Sequence, residues 1–299
     1  MKNKSIASFM IKIVMMPLLF TISCVNEISE DPVDIPGEIP IRLSTQILCN
    51  HTRAINNEFQ EKDAIGLYVL TQLSTINQKR YIDNMRFTCS QATGFEPEET
   101  IYYPKGDGKC DFISYYPFQE TGINQDQSIM HTDQSSVSKH SLSDFMIATN
   151  SDITPSQNMV SMEYKHKLCK LKITIKPAPG EDIDELLNDN PSLSLNGFHS
   201  DASYDFLTDR FEPSGQTISV TPHGEWKIEN NALTGKEVIL IPEKIESDNH
   251  YINIDINGKS YSCPFPDNFQ LASEKNCSIA IIYKSSEGIQ INNFDHSIT

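Results

Sequence analysis

Short runs of branched and aromatic residues recur along this chain, each closed off by Gly, Pro, Asn or Asp. They read AIGLYVL (Ala64 to Leu70), CDFISYYPF (Cys110 to Phe118), LKITIKP (Leu171 to Pro177), VILIP (Val238 to Pro242), YINIDI (Tyr251 to Ile256) and IAIIY (Ile279 to Tyr283). Such side chains suit a pleated, half-buried surface, and the residues between them turn the backbone. Helical periodicity is scarce, EDIDELLND (Glu181 to Asp189) after Gly180 offering a turn or two. Asn257-Gly258, between YINIDI and KSYSCPF, predicts a two-residue hairpin turn. Many short strands spaced by turns predict an all-β chain built of β-sandwiches.

The first strand pattern comes early. In EIPIRLSTQILCNHTRAINNEF (Glu38 to Phe59), Ile39, Ile41, Leu43 and Ile47 recur at even spacing, with Arg42, Ser44 and Gln46 between them. This is the alternation of a half-buried strand. It then stops at a polar stretch carrying Arg53 and Ala54, and no apolar rhythm resumes until Ile65.

Upstream, Lys2 and Lys4 precede IVMMPLLFTI (Ile13 to Ile22), an apolar core of signal-peptide length, too short to span a bilayer comfortably. It ends in TISC, which resembles the lipobox of bacterial lipoproteins, with Thr21 where Leu is commoner. That resemblance implies removal of residues 1–23 and acylation, palmitate included, of Cys24. The alternative is an ordinary signal peptide with an incidental cysteine. The following VNEISEDPVDIPGEIP carries Pro32, Pro36 and Pro40 among acids, a composition that stays extended and solvated. Its acidity resembles the surface-export signal of Bacteroidetes-type lipoproteins, and a solvated linker has the same composition. Acyl chains attach a protein to a membrane without a spanning helix.

Beyond residue 53 the 299-residue chain is long enough for two domains of ~100 to 150 residues. VSMEYKHKLCKLKITI contains a β run, Ser161 to Ile175, longer than one strand's usual ~3 to 10 residues, so Tyr164 to Lys172 is expected to pass between two sandwiches. The net charge of −16 argues against nucleic acid as a partner, since phosphate binding needs clustered Lys and Arg. The seven cysteines, at 24, 49, 89, 110, 169, 263 and 277, include no CxxC pair. With Cys24 lipidated and Cys49 lost alongside its strand, an odd number remains, so no disulfide framework is expected to hold the fold. The eight histidines show no HExxH and no metal spacing with cysteine, no GxSxG elbow exists, and NIDINGKS lacks the first glycine of a phosphate-binding loop. No catalytic activity, cofactor or metal is expected.

Four segments stand together in a recognisable order: EKDAIGLYVL (Glu61 to Leu70), GFEPEETIYYPKGDGKCDFISYYPF (Gly94 to Phe118), SDFMIATN (Ser143 to Asn150) and VSMEYKHKLCKLKITI (Val160 to Ile175). Their strongest points are Asp63-Ala64-Ile65-Gly66, the Tyr102-Tyr103-Pro104 and Tyr115-Tyr116-Pro117 pair, Asp144 to Ala148, and His166. In this order they resemble the fimbrillin family, the lipoprotein-derived subunits of type V fimbriae of anaerobic gut and oral bacteria. The same residues are also plain core and turn chemistry, the tyrosines packing with their hydroxyls at the surface and the prolines ending strands.

The resemblance implies two tandem transthyretin-like β-sandwich domains, residues 54–166 and 167–299, behind a tether and removable first strand at 24–53. It implies cleavage after an Arg by a trypsin-like protease, here in Thr52-Arg53-Ala54, which releases the strand carrying Ile39, Ile41, Leu43 and Ile47. Arg42 is the poorer site because it lies within the strand. A strand from the next subunit would fill the groove left behind. Within CSIAIIYKSSEGIQINNF (Cys277 to Phe294), Ile289 and Ile291 are the expected donors. Many relatives close with a Trp, whereas this chain ends in NNFDHSIT, leaving open a normal donor tail or a specialised subunit.

The expected partners are other fimbrial subunits, the outer membrane through the lipid anchor before maturation, and a host or bacterial surface ligand. The expected location is the outer membrane and the cell-surface fimbrium. A different class is a non-polymerising surface lipoprotein that binds a glycan or host ligand. A sugar platform usually wants more than one tryptophan, and the single Trp226, in HGEWKIEN, reads as a strand or core residue. A secreted enzyme ranks below both.

Overall fold

In the computed structural model, residues 37–48, 58–72, 74–106, 108–123, 127–266 and 270–297 are described; Cys24, Arg53 and Ala54 lie outside them. The chain is all-β, with sandwich-like sheets and two short helices among the described residues. Its first half runs β1 (Leu43–Ile47), β2 (Ala64–Thr71), β3 (Ile82–Ser90), β4 (Gly94–Pro97), β5 (Cys110–Tyr116), β6 (Gln127–Ser128), α1 (Val137–Leu142), β7 (Met146–Ile153) and β8 (Val160–His166). All of these strands except β6 form one seven-stranded sheet in the order β1-β8-β7-β5-β2-β3-β4.

The second half runs β9 (Cys169–Pro177), α2 (Ile183–Asn188), β10 (Ser192–Phe198), β11 (Asp201–Asp205), β12 (Arg210–Ser214), β13 (Ile218–Val220) and β14 (Lys227–Glu229). It continues through β15 (Ala232–Leu240), β16 (Tyr251–Ile256), β17 (Lys259–Pro264), β18 (Asn276–Lys284) and β19 (Gly288–Ser297). The five-stranded sheet β14-β15-β9-β18-β19 and the four-stranded sheet β13-β10-β16-β17 both contribute to one core. A three-stranded sheet, β12-β11-β6, draws its last strand from the first half.

Alternation decides which residues enter the cores. Leu171, Ile173 and Ile175 of β9 and Ile279 and Ile281 of β18 are buried at every second position, and Leu193, Leu195, Ile252 and Ile254 belong to the same cluster. Burying each such side chain is worth on the order of 1.5–3 kcal/mol before ordering costs. The long β run expected across Ser161 to Ile175 breaks in two: β8 ends at His166, Lys167 and Leu168 intervene, and β9 starts at Cys169. Phe145 of the first half meets Tyr204 and Phe211 of the second, ring centroids 5.5 Å apart in each case.

The turn at Asn257-Gly258 joins β16 to β17 with Ile256 facing Lys259, and both residues have positive φ, 47° and 73°. These are the angles of a mirror-image hairpin turn, which Asn-Gly adopts with little strain. The sequence reading missed α1: SSVSKHSL has no apolar period, and His140 is the helix's one buried residue. The Ser136 hydroxyl, accepting from the Lys139 amide, caps it instead.

Candidate functional site

The first strand and the groove that receives it form the candidate site. Ile41, Leu43 and Ile47 are 2%, 6% and 8% exposed, while Arg42, Ser44 and Gln46 face solvent. Ile39 is half-buried and packs against the same core. Strand β1 runs parallel to β8, from Leu43 opposite Val160 to Ile47 opposite Tyr164. Just upstream the segment changes partner: the Ile41 amide donates to the Ile101 carbonyl and the Tyr103 amide to the Ile39 carbonyl, both at 2.9 Å. One continuous stretch thus lies between β8 and the residues after β4.

The groove is apolar. Val160, Met162 and Tyr164 of β8 are buried, as are Ile101 and Tyr103 on the other side. Burial pushes the Tyr164 phenol well above its ordinary pKa, so it stays neutral, sharing a short hydrogen bond with the Ser114 hydroxyl. The described chain resumes at Glu58, and the Phe59 ring packs edge-on against Phe95 at 4.9 Å, Tyr164 at 5.1 Å and Tyr116 at 5.5 Å. Phe59 therefore re-anchors the chain independently of β1. Nothing in the pattern NNEF singles that ring out.

The motif residues sit around this core. Gly66 lies where an added Cβ would stand 2.2 Å from the Tyr115 ring and 2.7 Å from the Asn84 side-chain oxygen, so the DAIG glycine makes room for a tyrosine. The hydroxyls of Tyr103, Tyr115 and Tyr116 are not at the surface. Tyr115 donates to Asn84 Oδ1 at 2.7 Å and Tyr116 to Asp63 Oδ1 at 3.3 Å, whereas the Tyr103 hydroxyl is buried without a partner among the described residues. Two consecutive tyrosines on β5 point to opposite faces, and each finds an internal acceptor there. His166 Nδ1 pairs with the Asp144 carboxylate at 2.8 Å; burial opposes its protonation, yet Asp144's charge and hydrogen bond outweigh that and raise its pKa.

The expected donor residues lie in a different sheet, the five-stranded one. Ile289 and Ile291 belong to β19, antiparallel to β18, facing Tyr283 and Ile281. Ile289 is 8% exposed and Ile291 is half-buried. A register shift between Ala280 and Ile281 interrupts the ladder beside them. Trp226 is 8% exposed, and its Nε1 donates to the Pro191 carbonyl at 2.7 Å. Among the described residues no three His, Cys, Asp or Glu side chains are disposed to hold a metal ion, and no helix is long and apolar enough to cross a membrane.

A family model described as fimbrillin-like matches residues 52–299, most of the chain. The chain belongs to the fimbrillin-like family. A Bacteroides uniformis protein named as a fimbrium subunit is 26% identical over 231 residues, covering 75% of this chain and 72% of that protein. Two crystal structures share the fold of this fimbrillin-like chain. One, described as a cell adhesion protein of Bacteroides uniformis, has a TM-score of 0.62 at 20% identity and covers 87% of this chain and 99% of its own. The other, described likewise and from Bacteroides ovatus, has a TM-score of 0.63 at 17% identity, with 88% and 99% covered.

Proposed function

We propose that this chain is a structural subunit or adhesin of cell-surface fimbriae, without catalytic activity. It is exported as a lipoprotein through Cys24, trimmed between Arg53 and Ala54, built as two tandem transthyretin-like sandwich domains, residues 54–166 and 167–299, and polymerised by strand exchange from one subunit to the next. The observation that carries this reading is the place of residues 39–48: a core-filling strand joined to the remaining fold only through residues 49–57. Cleavage there would release Ile41, Leu43 and Ile47 together. It would also leave the Val160 and Tyr103 amides and the Ile101 and Tyr164 carbonyls without their present partners. Unpaired strand edges beside an apolar groove favour addition of another strand.

The donor would be residues 288–297, carrying Ile289 and Ile291. Its exchange requires β19 to leave β18 and enter the groove of the next subunit. Arg42 is the poorer protease site because its carbonyl accepts from the Val160 amide, one residue before β1 begins. The alternative of a glycan-binding lipoprotein loses its best candidate platform, since Trp226 is buried and already hydrogen-bonded.

Limited trypsin digestion followed by N-terminal sequencing and size-exclusion chromatography tests the reading. The first cut is expected after Arg53, and the trimmed protein is expected to multimerise, whereas Arg53→Ala stays monomeric. A trimmed subunit as stable and monomeric as the precursor removes the polymerisation mechanism.

A further inference from the structure

Cys169 and Cys277 are both completely buried, and their sulfurs lie 3.4 Å apart. Cys169 opens β9 and Cys277 stands one residue into β18, on adjacent parallel strands. In register Cys277 faces Leu171, so the two thiols sit one pleat apart on the same inward face. The structure holds them as thiols, with Cys169 donating to the Cys277 sulfur. That hydrogen bond and burial push the Cys169 thiol well above its ordinary pKa, and the same bond lowers Cys277.

We propose that Cys169 and Cys277 are a disulfide-forming pair, oxidised during folding and cross-linking β9 to β18. The oxidant is a disulfide donor, either a low-molecular-weight disulfide or a disulfide oxidoreductase. The thiolate of one cysteine of the pair attacks one donor sulfur and displaces the other as a thiolate, forming a mixed disulfide. The other cysteine loses its proton and attacks the protein sulfur of that mixed disulfide, displacing the remaining donor thiolate. Two protein thiols become one disulfide, and one donor disulfide becomes two thiols. Bonding requires the sulfurs to move from 3.4 Å to ~2.05 Å. Because neither residue is exposed, the exchange takes place before the core closes.

The cross-link has a consequence for assembly that rests on the strand-exchange reading. Among the described residues, β19 is hydrogen-bonded into its sheet through β18 alone. With β18 tied to β9, β19 can depart while β18 stays in the core.

The experiment folds the reduced, unfolded chain in a buffer of reduced and oxidised glutathione, blocks remaining thiols with an alkylating agent under denaturing conditions, and maps tryptic peptides by mass. The expected product joins peptide 168–170 to peptide 276–284, with Cys89, Cys110 and Cys263 alkylated. Oxidised protein is expected to melt above the reduced form, a difference that Cys169→Ser abolishes. Alkyl groups on both Cys169 and Cys277, or linkage of either to another cysteine, overturns the proposal. The wild-type map decides even where the variant fails to fold. A linked pair in a subunit that never multimerises sinks strand exchange alone, and an alkylated pair in a multimerising subunit sinks the cross-link alone.

Discussion

The Val160 amide donates to the Arg42 carbonyl at 2.8 Å, fixing the point where the first strand enters the seven-stranded sheet. From there Leu43 and Ile47 turn inward and Ser44 and Gln46 outward. Leu43→Ala leaves a cavity in a packed core and is expected to cost ~2–5 kcal/mol. Ser44→Ala, on the solvent side, should stay within ~0.5 kcal/mol of wild type. Urea unfolding of the precursor measures both. Equal effects at the two positions would mean that the strand contributes no packing.

Gly66 faces the Tyr115 ring with no room for a side chain. The tyrosine is fully buried and held by Asn84 and the Gln119 carbonyl, so it cannot swing aside freely. Gly66→Ala should therefore destabilise by ~1–3 kcal/mol through overpacking. Combining it with Tyr115→Ala should cost less than the two single changes summed, which thermal melting of all three variants would show. Strict additivity would place the strain elsewhere.

Much of this fold was legible because its strands advertise themselves. The burial pattern of β9 and β18 follows the alternation of LKITI and SIAIIY, and the Asn257-Gly258 turn follows from its two residue types. Helix α1 was not legible, since a cap and one buried histidine hold it rather than an apolar face. The partners of the tyrosine hydroxyls were equally hidden: Tyr115 reaches Asn84 on β3, a neighbour only after β5 and β3 flank β2. At the candidate site the strand's alternation was readable, but the clamp from Ile101 and Tyr103 was not. It depends on two segments far apart in sequence lying side by side.

The ion pair of His166 with Asp144 makes stability depend on pH. The folded-state pKa of His166 lies above the unfolded value of ~6.5, so the pair's contribution is fully present below that value. It is lost as pH rises through the higher folded value. Asp144→Asn should lower the His166 pKa in an NMR titration and reduce the loss of melting temperature between mildly acidic and mildly alkaline buffer. His250, similarly raised because Glu243 and the Glu246 carbonyl outweigh its burial, adds a dependence of the same sign that remains in this variant. An unchanged His166 titration would rule out the carboxylate as its cause.

Trp226 offers a reporter placed away from the first strand. It is the chain's single tryptophan, is buried in the core that the second half shares with Tyr68, Tyr115 and Phe145 of the first, and donates to the Pro191 carbonyl. Release of β1 empties a different core, the one containing Ile41, Leu43 and Met162. Trimming after Arg53 should thus leave the tryptophan emission blue-shifted while lowering the urea midpoint of the core that holds Met162. Trp226→Phe, by contrast, strips a buried carbonyl of its donor and should cost ~1–3 kcal/mol. A red shift of the emission on trimming alone would show that the two cores unfold as one unit. In that case the strand could not be exchanged while the rest of the subunit stays folded.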